Sequence, residues 1–563
     1  MEDARTCAPS SFGRGIRDDV ARRLPFYLSD WTDAFNWKVL SATLFIFFTS
    51  IGPAITFSLL LALETNDEIG AIEVLVATSI TGVLFAVFAG QPLLIVGVTG
   101  PVAILSVNIY IVSEMLGIKF IPFYAWSQIW GAAMLIVLAV FNACDTLKFV
   151  TRFSCDIFGI LIALLYLYTG IEGIARALDK QRADFGVSLL QFIIAMGTFY
   201  TADTLSHASG WSSLNGKWRG LINDYGATVA ILVWSTVPAM AANRMEDGAI
   251  PKLYVPLTFE TTSGRTWFAD FSDIPVWGVF AAIVPGFIIT VLFFFDHNVS
   301  SLLAQKSEYK LKKGDAFHLD FLVLGIGVLL TGLLGIPPTN GLIPQAPLHT
   351  KSLTVTKRIV ADAGILAADR FEIVNVHEQR VSNLLQSLLI GLVCFRPFSD
   401  ALREIPIAVL YGLFLYLGLS SFEGNEFAYR MYMICMDKKI RRRTPHPYAS
   451  AQVKYPILRS YTLLQALLCG IIFGITFTPA GVIFPVLIAA LVAVRSWGLS
   501  KWFTEDHLNL LDSQILAQPK NAPNFECFDV EIIATRTPDK YDSAGYDLDG
   551  DDDSGDDAPV IWK

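Results

Sequence analysis

Gly97–Asn108 reads GVTGPVAILSVN and Gly335–Thr350 reads GIPPTNGLIPQAPLHT, two apolar segments broken by glycine and proline. Each break forfeits helix hydrogen bonds. Inside a bilayer such a loss is tolerated only where the freed backbone lines a cavity or is buried in protein. A matched pair of interrupted segments therefore points to a transport site built from two half-helices.

Composition supplies the membrane. The 563 residues are 53% hydrophobic and 17% charged, with a mean hydropathy of +0.50, against about 25% charged residues in soluble domains. Asp, Glu, Lys and Arg are absent from 39–63, 74–113, 120–144, 157–171, 185–202, 225–243, 274–295, 321–350, 381–395, 405–422 and 460–494. Roughly 20 residues cross the hydrocarbon core, so 74–113, 321–350 and 460–494 each hold two segments. The eleven stretches then yield 14 segments, and the second halves of 74–113 and 321–350 are the two that do not span alone.

The spacing suggests an internal repeat. From Pro53 to Pro101 and from Asp296 to Pro344 the interval is 48 residues in both cases. Two halves of seven segments would lie upside down relative to one another, because seven is odd. The expected fold is therefore an all-α polytopic membrane protein, 14 segments as a 7+7 inverted repeat, with segments 3 and 10 as half-helices.

Lys and Arg mark short cytoplasmic loops. The 302–316 loop carries Lys306, Lys310, Lys312 and Lys313, the 423–459 loop carries eight basic residues, and both follow even-numbered segments. Arg14, Arg17, Arg22 and Arg23 fall on the same side, so both termini are expected in the cytoplasm. Residues 1–36 show no apolar core of the kind a cleaved signal needs. The longest outward loop is expected within 244–273. Asp539–Asp557 holds nine aspartates and one lysine, a formal −8 of the chain's −9, so the acidity belongs to a tail and says nothing of the substrate. Asp547–Asp551 mimics the start of a calcium loop, but no glycine stands in the sixth place and Ala558 stands where the bidentate Glu belongs. That tail reads as solvated and disordered.

Seven cysteines and seven histidines are scattered without metal-ligand spacing. The cysteines read as free thiols, and no metal, cofactor or nucleic-acid partner is expected. The sequon at Asn298 falls at membrane depth and reads as chance.

Among polar groups at membrane depth Asp296 stands out, since it ends the 22-residue uncharged run Ile274–Phe295. An acid there is costly unless it faces a cavity or a partner. Asp296 is thus a candidate for substrate binding and for proton coupling, with an interfacial helix-end aspartate as the alternative. In the broken segments Thr99, Asn108, Thr339, Asn340, Gln345 and His349 are polar and none is a fixed cation. Two half-helix amino termini aimed at one point would hold an anion without lysine or arginine, and Gln345 adds a donor and an acceptor. That suits a small oxyanion carrying hydroxyl groups. The competing reading of Gln345 and Asn340 is capping or interhelical hydrogen bonding, and His297 and His349 read as structural.

Ser41–Phe57 (SATLFIFFTSIGPAITF), Gly97–Leu105 (GVTGPVAIL), Phe295–Ser301 (FDHNVSS) and Gly335–Val355 (GIPPTNGLIPQAPLHTKSLTV) resemble the bicarbonate-transporter and anion-exchanger superfamily. Within it the fungal borate transporters are the members resembled most. The resemblance covers most of 12–500. It implies a core domain of segments 1–4 and 8–11 that moves in an elevator-like shift against a gate domain of segments 5–7 and 12–14, with the gate forming a homodimer interface. The corresponding boundaries are 1–36 for the cytoplasmic amino-terminal segment, 37–150 and 274–400 for the core, and 151–244 and 401–500 for the gate. The outward loop is 245–273 and the cytoplasmic tail 501–563, acidic from about 536.

The resemblance further implies substrate binding by Asp296, Gln345, Thr99, Gly100, Asn340 and Gly341. Asp296 stands where anion exchangers carry a glutamate, and Gln345 where the red-cell exchanger has an arginine. Losing that cation disfavours chloride, which cannot donate hydrogen bonds, relative to a hydroxylated anion. The expected function is borate export across the plasma membrane, with bicarbonate or chloride exchange as the alternative. A membrane enzyme would need a nucleophile, metal cluster or phosphate loop at membrane depth, and the sequence offers none. A scaffold reading would rest on the basic loop and the acidic tail alone.

Overall fold

The structure is a computed structural model that describes residues 12–149, 151–180, 185–241, 250–359, 370–443 and 455–512. The expectations for the acidic tail, for Cys7 and Cys527, and for the middle of the basic loop lie outside the described residues.

Helices dominate. In chain order they are α1 (Arg14–Arg23), α2 (Tyr27–Thr32), α3 (Trp37–Glu64), α4 (Ala71–Phe88), α5 (Gly100–Leu116), α6 (Phe120–Val140), α7 (Arg152–Lys180), α8 (Phe185–Ser206), α9 (Gly216–Ser235) and α10 (Val237–Ala241). The second half continues with α11 (Val276–Ala281), α12 (Ile283–Ala304), α13 (His318–Leu334), α14 (Gln345–Ser352), α15 (Val381–Leu392), α16 (Phe398–Arg403), α17 (Ile407–Ser420), α18 (Glu426–Cys435), α19 (Lys438–Arg443), α20 (Tyr455–Thr476), α21 (Phe484–Ala493) and α22 (Glu505–Leu511). Among the described residues eight helices are long and apolar enough to cross a membrane, and four shorter apolar ones join them, α5, α13, α15 and α17.

The all-α expectation needs a correction, because two antiparallel ladders are present. β1 (Val96–Gly97) pairs with β2 (Asn340–Gly341), and β3 (Thr354–Ile359) pairs with β4 (Arg370–Val376). The two interrupted segments differ in length. α14 has eight residues and α5 has 17, about 26 Å at 1.5 Å per residue, and both fall short of the roughly 30 Å hydrocarbon core. The 225–243 stretch differs too. Its helix starts at Gly216 and takes in Lys217, Arg219 and Asp224, which a search for uncharged runs leaves out.

Local chemistry sets several boundaries. Asn36 caps α3, accepting from the Lys38 amide at 3.0 Å, and Thr99 caps α5. α5 and α13 end at Gly117 and Gly335, whose φ of 66° and 61° are the left-handed values that favour glycine. α6 packs against α12 and α13, and α4 against α13 and α15. Separately, α7 and α8 pack against α17, α8 against α9, and α20 against α7. The two groups meet where α3 touches α9 and α17, and where α12 touches α21.

Two ends of this assembly are locked by charge. At one, Asp30 is fully buried and accepts from Arg23 (2.9 Å), Arg380 (3.1 Å) and Lys313 (3.0 Å). This joins α1 and α2 to the 305–317 loop and to α15. Arg380 also donates to the Ala86 and Ala89 carbonyls at the end of α4. At the start of α4, buried Glu73 accepts from Gly70 N (2.9 Å), Thr262 N (2.6 Å) and Thr262 Oγ1 (2.6 Å). Arg265 reaches the Leu334 and Gly335 carbonyls. The amino-terminal segment and the 305–317 loop therefore share one face, and the 250–273 segment lies at the other end of α4, about 27 Å away. The buried Cys144, Cys394 and Cys469, with Cys155 and Cys435, are free thiols.

Candidate functional site

The two interrupted segments meet backbone to backbone. Val96 lies opposite Gly341 and Gly97 opposite Asn340, and Leu342 N donates to Ile95 O at 2.9 Å. These bonds use backbone groups that the broken helices left free, in a region where water cannot supply partners. Both ladder glycines sit in tight quarters. A Cβ on Gly341 would stand 2.9 Å from Ser300 Cβ, and one on Gly97 would stand 3.2 Å from Leu342 and from Thr78.

Asp296 lies within α12 rather than at a helix end, and is 2% exposed. Its Oδ2 accepts from Asn340 Nδ2 at 3.0 Å and from Thr99 Oγ1 at 3.3 Å. The Thr99 hydroxyl also accepts from Val102 N at 3.4 Å, so one side chain caps α5 and links the positive end of that helix to the carboxyl group. Asn340 turns its Oδ1 to the Gly341 amide at 2.9 Å. Among the described residues Asp296 has no ion-pair partner.

Gln345 opens α14 and makes no hydrogen bond to Asp296. Its Nε2 donates to the Thr49 carbonyl of α3 at 3.1 Å, and its Oε1 is buried without a hydrogen-bond partner. Ser50 Oγ and Ser300 Oγ are likewise buried and unpartnered. Gly100 lets α5 approach α7, since a Cβ there would overlap the Tyr166 hydroxyl. The structure thus brings Thr99, Asn340 and Asp296 into direct contact, sets Gly341 beside Ser300, and holds Gln345 on the α3 side.

The other polar positions have different places. Thr339 donates to Thr81 at 2.7 Å. Asn108 lies toward the turn before α21, where a Cβ on Gly481 would stand 3.2 Å from its Oδ1. His349 is held between Leu93 O (2.8 Å) and Ser382 Oγ (2.6 Å), a structural role. His297 is buried against the Phe85 and Phe321 rings, and Asn298 is fully buried within α12. Sequence reading missed Tyr166, Thr49, Ser50 and Ser300. Only Thr49 carries a signal, because Pro53 four residues on cannot donate to its carbonyl.

Helices crossing a bilayer around two interrupted segments and a buried acid define a membrane transporter fold. Comparison with known proteins places it more narrowly. The chain matches the family described as HCO3- transporter integral membrane domain over residues 10–185 and 181–516, and it belongs to that family. It is 36% identical over 508 residues to a putative transporter of Schizosaccharomyces pombe, covering 90% of this chain and 96% of that one. It is 35% identical over 514 residues to Boron transporter 1 of Saccharomyces cerevisiae, covering 90% and 86%. In fold it is similar to the transmembrane domain of a cyanobacterial bicarbonate transporter, BicA, with a TM-score of 0.51 at 14% identity over 77% of this chain and 97% of that one.

Proposed function

We propose that this chain is a secondary-active transporter that exports borate across the plasma membrane. The observation that carries this reading is the buried, unpartnered Oε1 of Gln345 in α14, a helix that packs on α12, together with the α12 acid Asp296, which contacts only neutral donors. Borate is tetrahedral and carries four hydroxyl groups, each of which donates as well as accepts. Gln345 Oε1, Asp296 and the free serine hydroxyls accept from such a ligand, while the ends of α5 and α14 face its charge with partial positive charge of about half a unit each. Thr99, Gly100, Asn340 and Gly341 shape the rest of the pocket. Chloride would leave the acceptors unpaired, a penalty of about 1–3 kcal/mol for each buried group.

The family relatives support the same substrate, since one of them is named a boron transporter. Bicarbonate or chloride exchange is the second reading, favoured by the family's name and by the neighbour's. Proton coupling runs through Asp296 on this proposal. An ionised Asp296 about 4 Å from a bound anion would cost about 4 kcal/mol at an effective dielectric of 20, so the anion and the carboxyl charge exclude one another.

The wider architecture belongs to the same proposal. Eight long apolar helices, four shorter ones, α9 and α14 supply elements for 14 segments in two inverted halves. The repeat offset supports it: Gly97 and Asn340, which face each other in the ladder, each stand four residues before the matched Pro101 and Pro344. The α4, α6, α12, α13 and α15 group would be the core, moving against the α7, α8, α17 and α20 group as gate. The gate would form a homodimer, and both termini would be cytoplasmic. The test is flux of borate, bicarbonate and chloride through liposomes containing the purified protein. Borate flux well above the other two supports the proposal, and equal chloride flux overturns it.

A further inference from the structure

We infer that Pro53 is a positioning residue that sets the hydrogen-bonding polarity of Gln345 and so selects which anions the site accepts. Pro53 lies inside α3, where a proline has no N–H to give to the carbonyl four residues earlier. That carbonyl is Thr49 O, at membrane depth, and it must find another donor. Gln345 from α14 supplies it through Nε2 at 3.1 Å.

The orientation of the amide follows from chemistry. A carbonyl oxygen only accepts, so the NH2 end of Gln345 must face Thr49 and the oxygen must point elsewhere. That oxygen is the buried Oε1 without a partner, and the Oγ of Ser50, the residue after Thr49 in α3, is also buried and unpartnered. A break in α3 thereby leaves residue 345 presenting an unpaired acceptor on the side away from Thr49. With an N–H at position 53, Thr49 would be satisfied within its own helix. The amide could then rotate and offer its NH2, which suits anions that only accept. The substrate consequence rests on the borate proposal, whereas the pairing of Pro53 with Gln345 does not.

Two measurements test it. Thermal unfolding of the purified wild type, Pro53→Ala, Gln345→Leu and the double variant forms a cycle. Pro53→Leu, which supplies the same N–H, is carried in parallel against poor folding of the alanine variant. Gln345→Leu alone should lower the midpoint by about 2 °C or more, through the stranded Thr49 carbonyl. In the Pro53→Ala background it should lower it by less than half as much. In liposomes Pro53→Ala should raise the borate KM about three- to tenfold with the maximal rate within about twofold, and should raise the chloride-to-borate flux ratio. Equal midpoint losses in both backgrounds, or an unchanged KM and flux ratio in Pro53→Ala, would overturn the inference. A wild type that moves no borate sinks the substrate proposal alone, and the unfolding cycle still decides the pairing.

Discussion

Asn340→Ala removes the shorter of the two hydrogen bonds to Asp296, 3.0 Å against 3.3 Å from Thr99. A hydrogen bond to a charged group contributes about 1.5–3 kcal/mol net. Asp296 is 2% exposed, so no water replaces the lost donor cheaply. Losing that donor leaves a buried carboxyl oxygen short of a partner, a cost of about 2 kcal/mol or about 30-fold in an equilibrium constant. The substitution also strips the Gly341 amide of its 2.9 Å acceptor, at the ladder that joins the two interrupted segments. Thr99→Val removes the longer, weaker bond and also the cap on α5, the cap alone contributing about 1 kcal/mol. The assay is initial borate efflux from liposomes at a fixed borate anion concentration, normalised to inserted protein, with unfolding midpoints measured alongside. Asn340→Ala should lose about tenfold or more and Thr99→Val less. Efflux by Asn340→Ala within twofold of wild type, at an equal unfolding midpoint, would refute the assignment of Asn340 to the site.

Three further outcomes are expected. If coupling runs through Asp296, Asp296→Asn should flatten the pH dependence of flux measured at constant borate anion concentration, and an unchanged profile would remove the acid from the coupling. Gly341→Ala should abolish flux, because its Cβ would stand 2.9 Å from Ser300 Cβ, and Ser300→Gly in the same chain should restore part of it. Arg380→Ala should lower stability by about 3–5 kcal/mol, read as a fall in the unfolding midpoint. It strips Asp30 of one partner and frees the carbonyls of Ala86 and Ala89.

The interrupted segments were legible because glycine and proline inside an uncharged run leave a one-dimensional mark, and Asp296 because it ends 22 uncharged residues. The contacts that make a site of them were not. Nothing near Tyr166 announces that it faces Gly100, since that approach depends on how α7 packs against the α5 cap. From sequence Gln345 reads either as a ligand or as an interhelical hydrogen bond, and in the structure its amide divides between a bond to Thr49 and an unpaired oxygen. The Pro53 signal lay in plain view, yet its consequence appears only once α14 is placed beside α3. Charge misled at α9, where Lys217, Arg219 and Asp224 sit inside the helix, and charged residues in 354–359 and 370–376 concealed two paired antiparallel strands.

The ratio of borate to chloride flux in the wild type and in Gln345→Arg tests most directly whether the site selects a hydroxylated anion by offering acceptors in place of a fixed cation. An arginine at 345 keeps a donor for Thr49 and adds a full positive charge. The wild type should favour borate strongly, and Gln345→Arg should shift the ratio toward chloride by about tenfold or more. A ratio near one in the wild type, or one that the arginine leaves unchanged, would contradict it.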